Sequence, residues 1–256
     1  MPSQPAELMR PGEIIAARNA FSAAFVPVSP CFEWHSYHLP LATDALIAEG
    51  ICRGIVQRLG GVHFSPLSFG LDETRPEKQL LEWGFDRSDS VYGMRFPALP
   101  LCSEYCRPEE MRAAVRNRLE AIRGSGFRYA FLVNNHGGSG QVEKLEELAR
   151  ETDGREMRVW SVRTGQFLSF RHESLRVGGH AGKSETLLLA AFRPELVDLT
   201  QLPEGPLQVR EMGILHGTPT IPAEHNPREV KLAIANEVRR SILDGFERFI
   251  REQCDF

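Results

Sequence analysis

The sequence lacks any apolar run long enough to cross a membrane. Its longest uninterrupted apolar stretch, 187–192, is far below the roughly 20 residues that a membrane helix needs, and Glu13 interrupts the N-terminal region where the apolar core of a signal peptide would lie. The chain also lacks a basic excess: its formal net charge is -4, whereas nucleic-acid-binding domains are usually strongly basic. We therefore expect neither a membrane nor a nucleic acid as a partner.

Cysteine is sparse, with five residues in 256 and no paired framework. Free thiols are typical of a reducing compartment, so we expect a cytoplasmic protein. Glycine and proline are spread along the chain, which favours neither a fibrous repeat nor a disordered tail. A chain of this length fits one large α/β domain, and we expect a single domain over 1–256.

Short β-branched and aromatic runs alternate with longer segments of helical periodicity, which is typical of βαβ units around a largely parallel sheet. The strand candidates are 24–28, 62–67, 129–134 and 157–162. The helix candidates are 44–59, 108–123, 139–151, 184–192 and 227–252. Residues 68–106 form an irregular insertion, which is typical of a lid or binding loop; a mobile surface insertion or an oligomer contact would explain it equally well.

The first group of candidate metal ligands lies at 33–44, after a predicted strand. In extended backbone Glu33 and His35 point to the same side, because side chains alternate along a strand. Asp44 opens a predicted helix and adds a second carboxylate. Oxygen and imidazole donors without cysteine fit a divalent ion such as Zn, Mn or Fe. The alternative is structural: Asp44 caps its helix, and Glu33 pairs with a basic group.

Two glycine-rich loops supply further candidates. His136 follows the predicted strand 129–134, at the end where ligands gather in open parallel sheets. The loop around it matches neither the P-loop nor the dinucleotide-binding pattern. A second loop, 178–186, brings His180 and Glu185 ahead of a helix. A lone histidine is more often structural than catalytic, and Glu185 would also suit the first turn of its helix.

Together these segments resemble the creatininase (creatinine amidohydrolase) family over about residues 22–245. The E-x-H-x-x-H-L-P-x-x-T-D run from Glu33, the N-x-H-G-G loop from Asn134 and the H-A-G-x-x-E-T segment from His180 occur in the family's order. The turn 217–219 resembles the family's C-terminal G-x-P turn. The resemblance implies a three-layer α/β/α domain with a mostly parallel central sheet. It also implies a two-metal centre that hydrolyses a C–N bond, often in a cyclic amide, within a homohexamer.

The resemblance also assigns roles to particular residues. Asp44 stands at the position of a ligand that bridges two ions, and Glu185 at an acidic position that completes the second metal or acts in proton transfer. His180 stands where a catalytic proton shuttle is expected. The family's metal-ligand positions are occupied here by Glu33, His35, Asp44 and His136.

Departures from the family pattern indicate a subfamily with its own substrate. Gly138 stands where creatininase itself has a glutamate for its second metal, which argues against creatinine as the substrate and for recruitment of Glu185 or a single ion. Lys183 replaces a glutamate found in many relatives. Trp34 and Ser36 stand where many relatives have glutamine and glycine.

These observations predict a metal-dependent amidohydrolase that hydrolyses a small cyclic amide with a metal-bound hydroxide at one or two divalent ions per chain. Glu33, Asp44 and His136 would hold one ion, and a second, about 3.5 Å away, would be held by His35, Asp44 and Glu185. His180 would pass a proton to the leaving nitrogen. Candidates for substrate binding are Trp34, Tyr37, His38 and Lys183, although the first three would equally serve in core packing or in hydrogen bonds to the ligands.

Two alternatives stay open from the sequence. The first is a hydrolase that cleaves a C–C bond of a cyclic ketone at the same metal centre. The second is a non-catalytic binding protein on this scaffold, which would have lost the carboxylate at Gly138 and gained the cation at Lys183. Metal analysis and a ring-opening screen separate these alternatives from amide hydrolysis.

Overall fold

The computed structural model describes residues 4–168, 175 and 179–255. Its central sheet has four parallel strands in the order β2-β1-β3-β4, which are Ala23–Pro27 (β1), Val62–His63 (β2), Tyr129–Asn134 (β3) and Arg158–Arg163 (β4). The α-helices among the described residues are Pro11–Ala20 (α1), Thr43–Leu59 (α2), Glu77–Glu82 (α3), Pro108–Gly124 (α4), Gln141–Thr152 (α5), Lys183–Phe192 (α6), Val209–Met212 (α7) and Ala235–Gln253 (α8). The predicted fold class, α/β with a parallel central sheet between helices, is confirmed.

The two central strands are completely buried. Every residue of β1 and β3 is buried, as expected where helices cover both faces of a parallel sheet. Because side chains alternate along a strand, Phe25 and Phe131 share one face, where their rings stack at 5.2 Å between centroids. Ala24 and Leu132 belong to the core on the opposite face.

Helices cover each face of the sheet and complete three layers. On the first face lie α2, α6 and α8, and Phe246 of α8 meets Phe25 and Phe131 edge-on at 6.1 and 5.7 Å between ring centroids. On the second face α4 and α5 bury apolar side chains such as Met111 and Leu145. No helix in the described ranges combines the length and the apolar character needed to cross a bilayer.

The irregular 68–106 segment carries its own apolar cluster. Trp83 and Phe85 pack against Phe96, with ring centroids 5.9 and 4.9 Å apart. Met212 at the end of α7 and Ile214 belong to the same buried cluster. The segment is thus packed against the part of the chain around α7, and its use as a lid stays a prediction.

Candidate metal centre

The candidate metal ligands converge at the carboxyl edge of the sheet. The loop after β1 carries Glu33 and His35, and the first turn of α2 carries Asp44. His136 follows the end of β3 by two residues, and the first turn of α6 carries Glu185. Because the strands are parallel, the loops that follow them meet at one edge, where ligands bind in open α/β sheets.

Two overlapping sets of ligand atoms share Asp44. In the first set, Nδ1 of His136 lies 3.3 Å from Oε2 of Glu33 and 3.1 Å from Oδ2 of Asp44. In the second, Nε2 of His35 lies 3.8 Å from the same Asp44 oxygen and 3.6 Å from Oε2 of Glu185. Within each set all ligand atoms lie within 4.8 Å of one another. Two divalent ions with a shared carboxylate would fit this arrangement.

Backbone carbonyls decide which nitrogen of each histidine faces the carboxylates. Nδ1 of His35 lies 3.0 Å from the carbonyl oxygen of Glu33, and Nε2 of His136 lies 2.9 Å from the carbonyl oxygen of Leu71. Each of these nitrogens donates to its carbonyl, which leaves Nε2 of His35 and Nδ1 of His136 for a metal. Both side chains are almost completely buried.

The site contains polar atoms that a cation would satisfy. Oε2 of Glu33 and Nε2 of His35 are buried and have no hydrogen-bond partner among the described residues. Buried polar atoms in native proteins are nearly always paired, so an orphaned carboxylate oxygen opposite an orphaned imidazole nitrogen indicates a missing ligand. Carboxylate oxygens and imidazole nitrogens are donors for Zn, Mn and Fe.

The electrostatics of the site are those of carboxylates and histidines that neutralise one another. Burial raises the pKa of Glu33, but the charge of His136 outweighs it and the pKa lies well below its ordinary value. The pKa of Asp44 is likewise lowered, because the hydrogen bond from His136 outweighs burial. Burial lowers the pKa of His35 and His136, yet the surrounding carboxylates raise both, that of His136 strongly. Protons on these histidines therefore balance the acidic charge that a divalent ion would neutralise.

The pKa values of Glu185 and His180 are shifted in the opposite direction to those of the other carboxylates and histidines of the site. Burial raises the pKa of Glu185 to about 8, although His35 opposes this shift. Burial and the neighbouring His35 lower the pKa of His180 to about 4, so its ring is neutral at physiological pH. Nε2 of His180 donates to the carbonyl oxygen of Trp34, and its ring centroid is 4.2 Å from that of His35. Its remaining nitrogen, Nδ1, is free to accept a proton.

Left-handed backbone follows two of the histidines. Ser36 has φ 63° and Ala181 has φ 55°, a backbone region that residues other than glycine rarely adopt. The backbone N–H of Ala181 donates to Oε2 of Glu185 at 2.6 Å, which stabilises this turn. Such strained residues cluster at functional sites, where the surrounding structure holds them.

An open cavity of about 850 Å³ leads to these residues. Five of the predicted site residues line it, namely Glu33, Asp44, His136, His180 and Glu185. Most of the other lining side chains are polar, and they include Asn135, Arg75, Ser139, Arg163 and Gln166. The predicted ligand His35 lies behind this wall and is completely buried.

The four predicted substrate-binding residues are not among the described residues that line this cavity. Trp34 is buried, and its indole N–H donates to the carbonyl oxygen of Met212 at 2.8 Å. Nε2 of His38 is hydrogen-bonded to the Thr186 hydroxyl at 2.8 Å. Lys183 is largely buried, and Tyr37 is 47% exposed. Contact of these residues with substrate stays a prediction.

The structure adds residues that sequence reasoning missed. Asn135 donates to Oδ1 of Asp44 at 2.6 Å, and Tyr105 donates to Oε1 of Glu33 at 2.5 Å. Asn135 is adjacent to His136 in the chain, which is a signal that could have identified it. Tyr105 lies in the irregular 68–106 segment, and no spacing or motif connects it with Glu33. Gly178, the first residue of the predicted glycine-rich loop 178–186, lies outside the described residues.

Comparisons with known proteins agree with this geometry. The family model of creatininase, described as creatinine amidohydrolase, matches residues 89–232. A comparison with curated proteins finds no match. Among solved structures the chain is similar to a mutant creatininase complexed with creatine, at 19% identity and a TM-score of 0.71 over 98% of each chain.

Two further creatininase structures carry a metal in their names. One is a mutant of the Zn-Zn type, at 18% identity and a TM-score of 0.70 over 98% of this chain and 99% of that one. The other is a Mn creatininase, at 17% identity and a TM-score of 0.68 over 98% of each chain. At these identities the solved structures establish the fold alone. The creatininase family model matches more than half of the chain and so establishes the family. The chain therefore belongs to the creatininase family and is a metal-dependent hydrolase of that family.

Proposed function

We propose that this protein is a metal-dependent amidohydrolase that opens a small cyclic amide by hydrolysis of its C–N bond. The observation that carries the proposal is the pair of carboxylate–imidazole sets that share Asp44 at the wall of an open cavity. The Zn-Zn and Mn creatininases of the same fold support the choice of a divalent transition metal.

Each ligand set supplies the donors that a divalent ion requires. We assign one ion to Glu33, Asp44 and His136, and a second to His35, Asp44 and Glu185. A divalent ion polarises a carbonyl group and lowers the pKa of the water it binds. The hydrogen bonds from His35 and His136 to backbone carbonyls hold the ring orientation in which the free nitrogens meet the carboxylates.

We assign proton transfer to His180. Its ring is neutral near pH 7 and lies at the cavity wall. Because Nε2–H is engaged by the Trp34 carbonyl, Nδ1 would take up a proton from the attacking water and pass it to the leaving nitrogen of the substrate. The Trp34 carbonyl also stabilises the protonated ring, since it accepts a hydrogen bond in both states.

The cavity supports a small polar substrate. Its lining combines side-chain amides, hydroxyls and guanidinium groups with few apolar side chains, among them Met94, Leu188 and Leu215. Such a lining provides hydrogen bonds for an amide ring and its substituents. A cytoplasmic location and a homohexamer complete the proposal and rest on the sequence and the family resemblance.

A single set of preparations tests this function. Purified wild-type protein is analysed for bound metal and then screened against lactams, cyclic imides and cyclic diketones for ring opening, with His136→Ala as the matched variant. We expect at least one tightly bound divalent ion per chain, ring opening of a lactam or imide, and loss of both in His136→Ala. Turnover of diketones alone would favour C–C hydrolysis, and absence of both metal and turnover would favour the binding protein.

A further inference from the structure

Tyr105 connects the 68–106 segment to the metal centre through one hydroxyl group. This hydroxyl lies 2.5 Å from Oε1 of Glu33 and accepts a hydrogen bond from the backbone N–H of Met94 at 2.9 Å. Since a backbone N–H only donates, the hydroxyl proton goes to the carboxylate.

The hydrogen bond from Tyr105 gives the two oxygens of Glu33 different surroundings. Oε1 is occupied by the phenol, whereas Oε2 faces Nδ1 of His136 at 3.3 Å and Nε2 of His35 at 3.9 Å. Oε2 has no hydrogen-bond partner among the described residues. Hydrogen bonds to a carboxylate are short and strong, so the phenol holds the carboxylate plane in one orientation.

The two oxygens of Asp44 differ in the same way: one accepts a hydrogen bond, and the other faces the histidine nitrogens. Its Oδ1 accepts from Asn135 at 2.6 Å. Its Oδ2 faces both histidines, at 3.1 Å from His136 and 3.8 Å from His35. Glu33 and Asp44 thus each present one oxygen to the histidine nitrogens, while the other oxygen accepts a hydrogen bond from a neutral donor.

The ring of Tyr105 is held by close packing within the segment. A Cβ at Gly93 would lie 2.4 Å from Cε2 of Tyr105, and Gly93 has φ +55°, so no other residue fits there without displacing the ring. The guanidinium of Arg95 lies 5.5 Å from the ring centroid, and the ring of Tyr92 lies 5.6 Å away. These contacts place the phenol before any ion binds.

We propose that Tyr105 is a positioning residue that makes Glu33 a one-oxygen ligand and so couples the 68–106 segment to metal affinity. The proposal rests on the metal centre of the proposed function. Loss of a partner that orients a metal ligand typically costs 10–100-fold in metal affinity. Tyr105→Phe removes the hydroxyl and keeps the packing of the aromatic ring.

The test is a titration of the metal-stripped full-length protein with Zn²⁺ and with Mn²⁺. We expect Tyr105→Phe to weaken binding of one ion by about 10–100-fold. The matched control is Tyr92→Phe, which removes a neighbouring phenol that donates to the backbone carbonyl of Asp72, and its affinity is expected to equal that of the wild type. In a Glu33→Gln background, Tyr105→Phe is expected to cause little further loss, because coupled residues are not additive.

Several outcomes would overturn the proposal. Wild-type affinity in Tyr105→Phe, an equal loss in Tyr92→Phe, or a full further loss in the Glu33→Gln background would each assign Tyr105 to packing alone. If Tyr105→Phe does not fold, Gly93→Ala provides a second variant, because its added methyl group displaces the ring of Tyr105. It is expected to weaken binding of the same ion. A wild-type protein without metal would contradict the proposed function as well, whereas metal in both wild type and Tyr105→Phe at equal affinity contradicts only this inference.

Discussion

The carbonyl oxygen of Leu71 accepts a hydrogen bond from Nε2 of His136 at 2.9 Å, and Gly138 leaves the room for it. A Cβ at position 138 would lie 2.1 Å from both of these atoms. From the family resemblance of the sequence, we expect creatininase itself to have a glutamate at this position. In this chain any side chain at 138 would separate His136 from Leu71. The glycine that removes the carboxylate from this position therefore also permits the orientation of the His136 ring.

Gly138→Ala is therefore expected to damage the metal centre. The added methyl group must displace His136 or Leu71, at a cost of about 1–3 kcal/mol in stability, as overpacking typically gives. Metal affinity is expected to fall by about 10-fold or more, because His136 loses the partner that orients its ring. Metal content after dialysis measures the effect. Gly137→Ala is the control, since a Cβ there meets no atom within 4 Å. Equal metal content in the two variants would contradict the expectation.

Glu185 is the remaining carboxylate that can complete the second ligand set. Glu185→Gln keeps the side chain's shape and an oxygen that accepts from the Ala181 N–H, but it removes the charge. We expect bound metal to fall from about two ions to about one per chain, since the His35 set loses an anionic ligand. Elemental analysis of the dialysed variant provides the measurement. Unchanged metal content combined with slower turnover would instead make Glu185 a proton carrier.

His180→Ala separates proton transfer from metal binding. Because Nε2 of His180 is engaged by the Trp34 carbonyl and its ring is neutral, we expect metal to be retained and the rate to fall by about 10²-fold or more. The measurements are metal content and kcat on a substrate found in the ring-opening screen. Glu33, His35 and His180 also form a set with metal-ligand spacing. Loss of metal in this variant would assign His180 to that set, and an unchanged rate would make it structural.

Much of the sheet could be predicted from local pattern. The predicted strand 129–134 coincides with β3, because a run buried on both faces is apolar throughout. The predicted strand 62–67 is shorter in the structure: β2 ends at His63, and only Leu67 forms a further bridge, to Val28. The helix predicted at 227–252 begins at Ala235, since 3-10 turns occupy the preceding stretch. Periodicity detects amphipathic segments but does not distinguish an α-helix from consecutive tight turns.

Predicting the site from sequence depended on how far apart its members lie in the chain. Glu33, His35 and Asp44 stand close together, and the parallel sheet explains why His136 joins them. Trp34 has a side chain that could stack on a ligand, yet it packs between the segment 68–106 and α7. Tyr105 could not be predicted, because its contact with Glu33 depends on the path of an irregular segment. Such contacts arise from tertiary packing, on which local pattern carries no information.

The pH dependence of the metal-free protein provides a test of the charge balance in the centre. Burial raises the pKa of Glu185 from 4.5 to about 8, so the folded state holds a proton that the unfolded state has lost between these values. The net shift of His136 and His35 is also upward, because nearby carboxylates outweigh burial. Stability falls with rising pH wherever the folded state binds more protons. The stabilisation is therefore complete below about pH 4.5 for Glu185 and is lost as the pH rises through about 8.

Below about pH 6.5 the lowered pKa values of His180, His38 and His63 act in the opposite direction, because the unfolded state then binds protons that these buried rings do not. We accordingly expect the metal-free protein to lose stability, on the order of a few kcal/mol, between about pH 6.5 and pH 8. The lowered pKa values of Glu33 and Asp44 act only at lower pH, where their stabilisation is lost as the carboxylates are protonated. Urea unfolding with a chelator present measures this slope, and Glu185→Gln, which removes one titrating group, should flatten it. Added Zn²⁺ should stabilise the protein more at pH 8 than at pH 6, because the metal displaces protons from its ligands. Metal-free protein that becomes more stable from pH 6.5 to pH 8 would show that the buried acidic and imidazole groups do not share protons as the geometry requires.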